Sequence, residues 1–251
     1  MDKDFSKAAG TLPAALILFR DRDLCAAVKP AGADSENDGE GSMPVLIARA
    51  LSLEAGQVRP VHRLDRETGG VMVYALSAFG ASARSKSVRE GRLEKRYLAA
   101  AAGAVGAAEG EWRDLLYHDP ARNRSYTVKR MRRGVREAAL SFRTAGRFEA
   151  GEGWPAGEIL DIRLLTGRTH QIRVQCASRG HPLIGDRRYG SSAGVPMALW
   201  CLEISFPHPR SGRIVKFSCP PGEDTFLGKM LKKTGIKPDG IVSDPSGGAA
   251  L

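Results

Sequence analysis

Pro60-Val61-His62-Arg63-Leu64-Asp65-Arg66-Glu67-Thr68-Gly69-Gly70-Val71-Met72-Val73-Tyr74-Ala75-Leu76 is an arginine-bearing polar turn that runs directly into an apolar stretch. From Gly70 to Leu76 there is no alternation of apolar and polar residues, which reads as a strand buried on both faces. Asp65 therefore stands just ahead of a buried strand, and Gly69 and Gly70 permit the sharp turn that would present it at a cleft floor. Arg63 and Arg66 on either side favour its ionised form by opposite charge. Taken alone, Arg-Leu-Asp is as readily a turn whose carboxylate caps backbone amides or pairs with an arginine.

Working outward, Leu160, Ile162 and Leu164 alternate with Asp161, Arg163 and Leu165, and Trp200, Leu202, Ile204 and Phe206 alternate with Cys201, Glu203, Ser205 and Pro207. Both segments read as strands with one face in a core. Ser77 to Glu90 reads as a helix capped by Ser77 and stopped by Gly91, with Arg84, Lys86 and Arg89 outward. Thr169 to Arg179 reads as a second, ended by Gly180 and Pro182. Strands outnumber helices and do not alternate with them regularly. The expected class is α+β, a mixed and mostly antiparallel sheet flanked by helices. Ala33 to Met43 is polar and reads as a mobile loop; residues 1–236 read as one domain and 237–251 as a disordered tail.

The chain has 251 residues, 42% hydrophobic and 26% charged, an ordinary globular composition. Its formal net charge of +10 favours a polyanionic partner, and the excess is local. Arg122, Arg124, Lys129, Arg130, Arg132, Arg133, Arg136, Arg143 and Arg147 face a single acid, Glu137, which reads as a phosphate-binding surface or a solvated loop. Cys25, Cys176, Cys201 and Cys219 are scattered without a Cys-x-x-Cys spacing and read as reduced core thiols of a cytoplasmic protein. Leu12 to Phe19 is apolar, but Pro13 interrupts it and acidic residues precede it, so it suits neither a signal peptide nor a membrane span.

Three further blocks follow the Asp65 turn in order: Glu94-Lys95-Arg96-Tyr97-Leu98-Ala99, Leu165-Thr166-Gly167-Arg168-Thr169-His170-Gln171-Ile172-Arg173-Val174, and Gly180-His181-Pro182-Leu183-Ile184-Gly185-Asp186-Arg187-Arg188-Tyr189-Gly190. Together they resemble the RluA-type RNA pseudouridine synthases, with a His-Arg-Leu-Asp block followed by Lys-x-Tyr and Arg-x-His-Gln-Ile-Arg blocks. The resemblance begins near Asp23 to Gly32, extends to Pro220-Pro221, and is best over 12–236. It implies an antiparallel sheet bisected by a catalytic cleft. Lys29-Pro30-Ala31-Gly32 comes too early to leave room for the S4-type RNA-binding domain that many relatives carry ahead of it, so target selection is expected to rest on the catalytic domain.

The resemblance implies Asp65 as nucleophile at C1′ or C6, Arg173 as its ion-pair partner with Arg168 as substitute, and Tyr97 packing on the flipped uracil. Arg63 is implied to enter the gap left by the flipped nucleotide, and Lys95 to support the cleft or a phosphate. RNA contacts are expected at Arg63, Lys95, Arg168, Arg122, Arg124, Lys129, Arg130, Arg132 and Arg133. The partner would be ribosomal or transfer RNA and the protein a monomer, with no protein partner or membrane implied. Isomerisation of uridine needs no external reactant, and no metal or nucleotide-cofactor motif stands in the sequence. His62, His170 and His181 sit at element ends and read as structural, as do Asp186 and Tyr189. Two departures bear on fine positioning: Gly69 where a serine is usual, and Gln175-Cys176 where a histidine is usual. The competing readings are a catalytically silent RNA-binding scaffold or chaperone of the same fold, and a metal-dependent nuclease, for which a cluster of acidic ligands is wanting.

Overall fold

A computed structural model describes residues 16–54, 56–82 and 92–237. They fall into two compact units: the described residues up to Arg92 with Phe206–Phe217, and Leu93–Ser205 with the described residues from Ser218 onward. The helix expected at 77–90 is described only at its start, where Ser77 Oγ accepts from Gly80 N at 3.0 Å. Its remainder and the tail from 238 lie outside the described residues.

In the first unit, β1 (Ile17–Arg20), β2 (Leu24–Lys29) and β4 (Gly69–Ala75) lie side by side and antiparallel, and the short β3 (Arg59–Pro60) also pairs with β4. Every residue of β4 is buried, as its unbroken apolar run predicts. The β2–β4 register runs from Leu24 opposite Ala75 to Lys29 opposite Gly70, which brings the chain after β2 beside the chain before β4. Helix α1 (Met43–Ala50) was not legible in the sequence; Pro44 stands in its first turn and Met43, Leu46 and Ile47 enter the core. The loop before it is tied down: Met43 N donates to Asp34 O at 2.8 Å. Arg210 holds the buried Asp23 carboxyl below its usual range by a direct hydrogen bond, against the opposing pull of burial.

In the second unit the strands follow the order β10 (Leu199–Pro207, here as far as Ser205), β5 (Glu94–Ala102), β9 (Gly157–Leu164), β8 (Val135–Phe148), β6 (Glu109–Asp119) and β7 (Arg124–Val128). Their described pairings are antiparallel. The alternation expected in 160–165 is only half realised, because β9 is buried on both faces through Ile162. Its Asp161 is accommodated there by the Arg96 guanidinium, Nε and Nη2 each at 2.7 Å. Helix α2 (Gln171–Ser178) begins two residues later than expected, since His170 adopts a left-handed conformation at φ 56° as its N-cap. Leu116, Ala138, Val174 and Tyr189 form a cluster joining α2 to β6 and β8. Helix α3 (Phe226–Thr234), also unforeseen, is capped by Thr225 Oγ1, which accepts from Gly228 N at 3.0 Å.

Candidate active site

The Asp65 turn is held by its own backbone. Ser35 Oγ donates to Leu64 O at 2.9 Å, Thr68 N to Asp65 O at 3.0 Å, and Arg66 O accepts from Gly32 N at 2.7 Å and Lys29 Nζ at 2.9 Å. Half-buried Asp65 is thus carried on a segment whose consecutive carbonyls are all engaged. Gly70, at φ 121°, adopts a conformation that side chains rarely take, which explains a glycine at that position. The two arginines that flank Asp65 in sequence have partners of their own. Arg63 is exposed and pairs with Glu36 at 3.3 Å, and Arg66 Nε donates to Gly32 O at 3.0 Å.

Lys29, which is fully buried, interacts electrostatically with Asp65. Burial pushes its pKa down to about 7; Asp34 and Asp65 pull the other way, and Arg66 adds to the depression. The ordinary value is 10.5, so between pH 7 and 10.5 the unfolded chain holds a proton that the folded protein has released. The charged ammonium therefore weighs fully against the fold below pH 7, and stability relative to Lys29→Met rises across that window by at most about 5 kcal/mol. Denaturant titrations of both proteins at pH 6 to 10 measure this; a pH-independent difference would refute it.

In the second unit, Lys95 and Tyr97 lie two residues apart on β5 and so share a face. Tyr97 is buried, and its side chain meets the Cys201 thiol on the neighbouring strand. A Cβ on Gly167 would stand 3.1 Å from Lys95 Nζ, so that glycine leaves room for the ammonium, whose pKa desolvation lowers. Gln171 ties the following turn together: its Oε1 accepts from Thr166 Oγ1 at 2.7 Å and Arg168 N at 3.0 Å, and its Nε2 donates to Ala139 O at 3.0 Å.

Arg173 is buried and forms a bidentate pair with Asp186, Nε to Oδ2 at 2.7 Å and Nη2 to Oδ1 at 2.8 Å. Its guanidinium also lies 5.3 Å from the centre of the Tyr189 ring. Tyr189 Oη accepts from Ser125 N at 2.7 Å and is 2.9 Å from His170 Nδ1, which suits a neutral imidazole accepting at Nδ1. Ser125 Oγ donates to Thr169 O at 2.6 Å, completing a clasp between β7 and the start of α2. Asp186 and Tyr189 thus support Arg173. His62 Nε2 accepts from Val73 N at 3.3 Å and His181 Nδ1 lies 3.1 Å from Ala102 O. Cys176 is fully buried in α2, its thiol pushed up to about 12 by desolvation, and Gln175 Nε2 donates to Asp114 Oδ2 at 2.6 Å.

The basic stretch divides in two. Lys129, Arg130, Arg132 and Arg133 are exposed in the loop from β7 to β8, and Arg122 lies 3.9 Å from Asp119 in the turn from β6 to β7. Arg124 packs 5.1 Å from the Tyr189 ring centre, and Arg168 Nε donates to Glu137 O at 2.8 Å. Arg143 and Arg147, in the same basic stretch of sequence, pair with Asp161 at 3.6 Å and Glu158 at 3.0 Å. Sequence reading missed Arg188, whose Nη1 donates to Arg122 O and Asn123 O at 3.1 Å each and so anchors the basic turn.

Among the described residues no helix is long and apolar enough to cross a membrane. The family model for RNA pseudouridylate synthase matches residues 23–178. An uncharacterized RNA pseudouridine synthase of Bacillus subtilis, YhcT, is 31% identical over 81% of this chain and 68% of its own. Ribosomal large subunit pseudouridine synthase C of Escherichia coli K12 is 29% identical over 87% of this chain and 69% of its own. The solved structure of human RNA pseudouridylate synthase domain containing 4 shares the fold, with a TM-score of 0.71 at 19% identity over 89% of this chain and 95% of that one. A family match across more than half of the residues, with a relative 31% identical over 81% of the chain, makes this chain an RluA-type member of the RNA pseudouridine synthases, isomerases that act on RNA.

Proposed function

We propose that Asp65 is the nucleophile of this isomerisation, with Tyr97 packing on the uracil and Arg173 keeping the carboxylate ionised. The observation that supports the assignment is the turn itself, in which the carbonyls of Leu64, Asp65 and Arg66 are each fixed by a donor, so that half-buried Asp65 is carried at a defined place. The uridine N1–C1′ bond breaks, C5 of the turned uracil bonds to C1′, a proton leaves C5 and N1 takes one up. No external reactant is consumed, and none is required as cofactor. The uridine leaves its stack to reach the carboxylate, and exposed Arg63 is long enough to occupy the gap. Lys95, Arg168 and the exposed cations of 122–133 hold phosphates.

The substrate is structured RNA, with ribosomal RNA the first candidate because relatives carry that activity in their names. The enzyme works as a monomer in the cytoplasm. RNA carrying tritium at uridine C5 tests the reaction: purified protein releases tritium to water in step with pseudouridine formed. RNA binding without release would favour the catalytically silent scaffold.

A further inference from the structure

We propose that the outward face of the β6–β7–β8 ribbon is a stacking platform for unpaired nucleotides of the substrate RNA, with Tyr117 and Tyr126 as its rings. The proposal rests on RNA being the substrate and adds a contact surface outside the catalytic set. In the β6–β7 register, His118 stands opposite Ser125 and Leu116 opposite Thr127, whereas Tyr117 stands opposite Tyr126 and Leu115 opposite Val128. His118 and Ser125 join the clasp to α2, and Leu116 packs with Val174 of that helix. Side chains alternate across a strand, so the two tyrosines project from the other face, next to each other. Both are half-buried, and Glu111, Arg113 and Glu137, which share that face by register, are exposed.

Cations frame the rings. The Arg132 guanidinium lies 5.4 Å from the Tyr117 ring centre and that of Arg124 lies 5.7 Å from Tyr126. A Cβ on Gly134 would stand 3.3 Å from Tyr117 Cε2, so the basic loop folds against that ring where there is no side chain. Met131, 56% exposed, adds an apolar group to the same loop, between Arg130 and Arg132. Flat rings framed by cations match a ligand that presents planar faces along a polyanion, which is an unpaired stretch of RNA. A duplex keeps its base faces stacked and would meet only the cations. An acidic protein surface would match the charge but gains nothing from a stacking ring.

Two hairpin RNAs, one blunt and one with a five-nucleotide single-stranded flank carrying 2-aminopurine, separate these outcomes. For the flanked RNA, Tyr117→Ala/Tyr126→Ala is expected to lose roughly tenfold in affinity per ring, and the 2-aminopurine quenching seen with wild type, with the salt slope of binding unchanged. The Phe/Phe variant retains both, and blunt RNA binds all three proteins alike. Lys129→Gln/Arg130→Gln instead lowers the salt slope. Unchanged affinity in the Ala variant, equal losses on both RNAs, or absence of quenching with wild type would overturn the platform. Tritium release by wild type, measured alongside, keeps a failure of the platform distinct from a failure of the enzymatic reading; matching thermal midpoints confirm that the variants are folded.

Discussion

Asp65→Asn protein is expected to make no pseudouridine while binding RNA within about twofold of wild-type strength. Removing a nucleophile outright costs on the order of 10⁴-fold or more in rate. The amide is nearly isosteric, and the bonds that shape the turn run through the main-chain carbonyls of Leu64, Asp65 and Arg66, so the substitution leaves them in place. It also removes one of the two carboxylates that raise the Lys29 pKa, which adds to the depression of that lysine. Tritium release and filter binding on the same preparation measure both halves of the prediction. Turnover at the wild-type rate would refute the assignment; loss of binding in parallel with turnover would mean that Asp65 serves recognition.

The largest stability effect is expected at Asp186. Its carboxylate satisfies two nitrogens of a guanidinium that is buried with it, at 2.7 and 2.8 Å. Asp186→Ala removes both of these charge-assisted hydrogen bonds from the buried guanidinium and costs about 3–5 kcal/mol. Pairing it with Arg173→Leu removes the buried guanidinium as well and recovers part of the loss, without restoring activity. Denaturant midpoints of the two variants measure this, and a single-variant cost below about 1 kcal/mol would mean that solvent or rearrangement compensates the arginine.

The Asp65 turn and its strand were legible because they rest on local pattern: a polar turn with two glycines, then the six residues Val71 to Leu76 with no charged interruption. Helix α2 was legible from Gly180 and Pro182 beyond its end, but its start was not, since nothing local marks His170 as a left-handed cap. Interactions that depend on strand register were invisible. Arg143 and Arg147 look like two more free cations until β8 is laid beside β9, where they fall directly opposite Asp161 and Glu158. Asp186 is thirteen residues from Arg173 and meets it only because the loop folds back on α2. Lys29 did leave a signal, a lone lysine ending the apolar run Leu24-Cys25-Ala26-Ala27-Val28, but a strand-end lysine ordinarily reaches water. Helices α1 and α3 are short, and the proline in the first turn of one and the glycine within the other mask their periodicity.

Chemical mapping of pseudouridine at single-nucleotide resolution, in cellular RNA lacking this modification and treated with wild-type or Asp65→Asn protein, tests the account most directly. Discrete sites made by wild type and absent with Asp65→Asn are predicted, within structured RNA and close to unpaired nucleotides. The same sites appearing with both proteins would remove Asp65 from the chemistry, and no site with either, despite salt-sensitive RNA binding, would contradict the reaction itself.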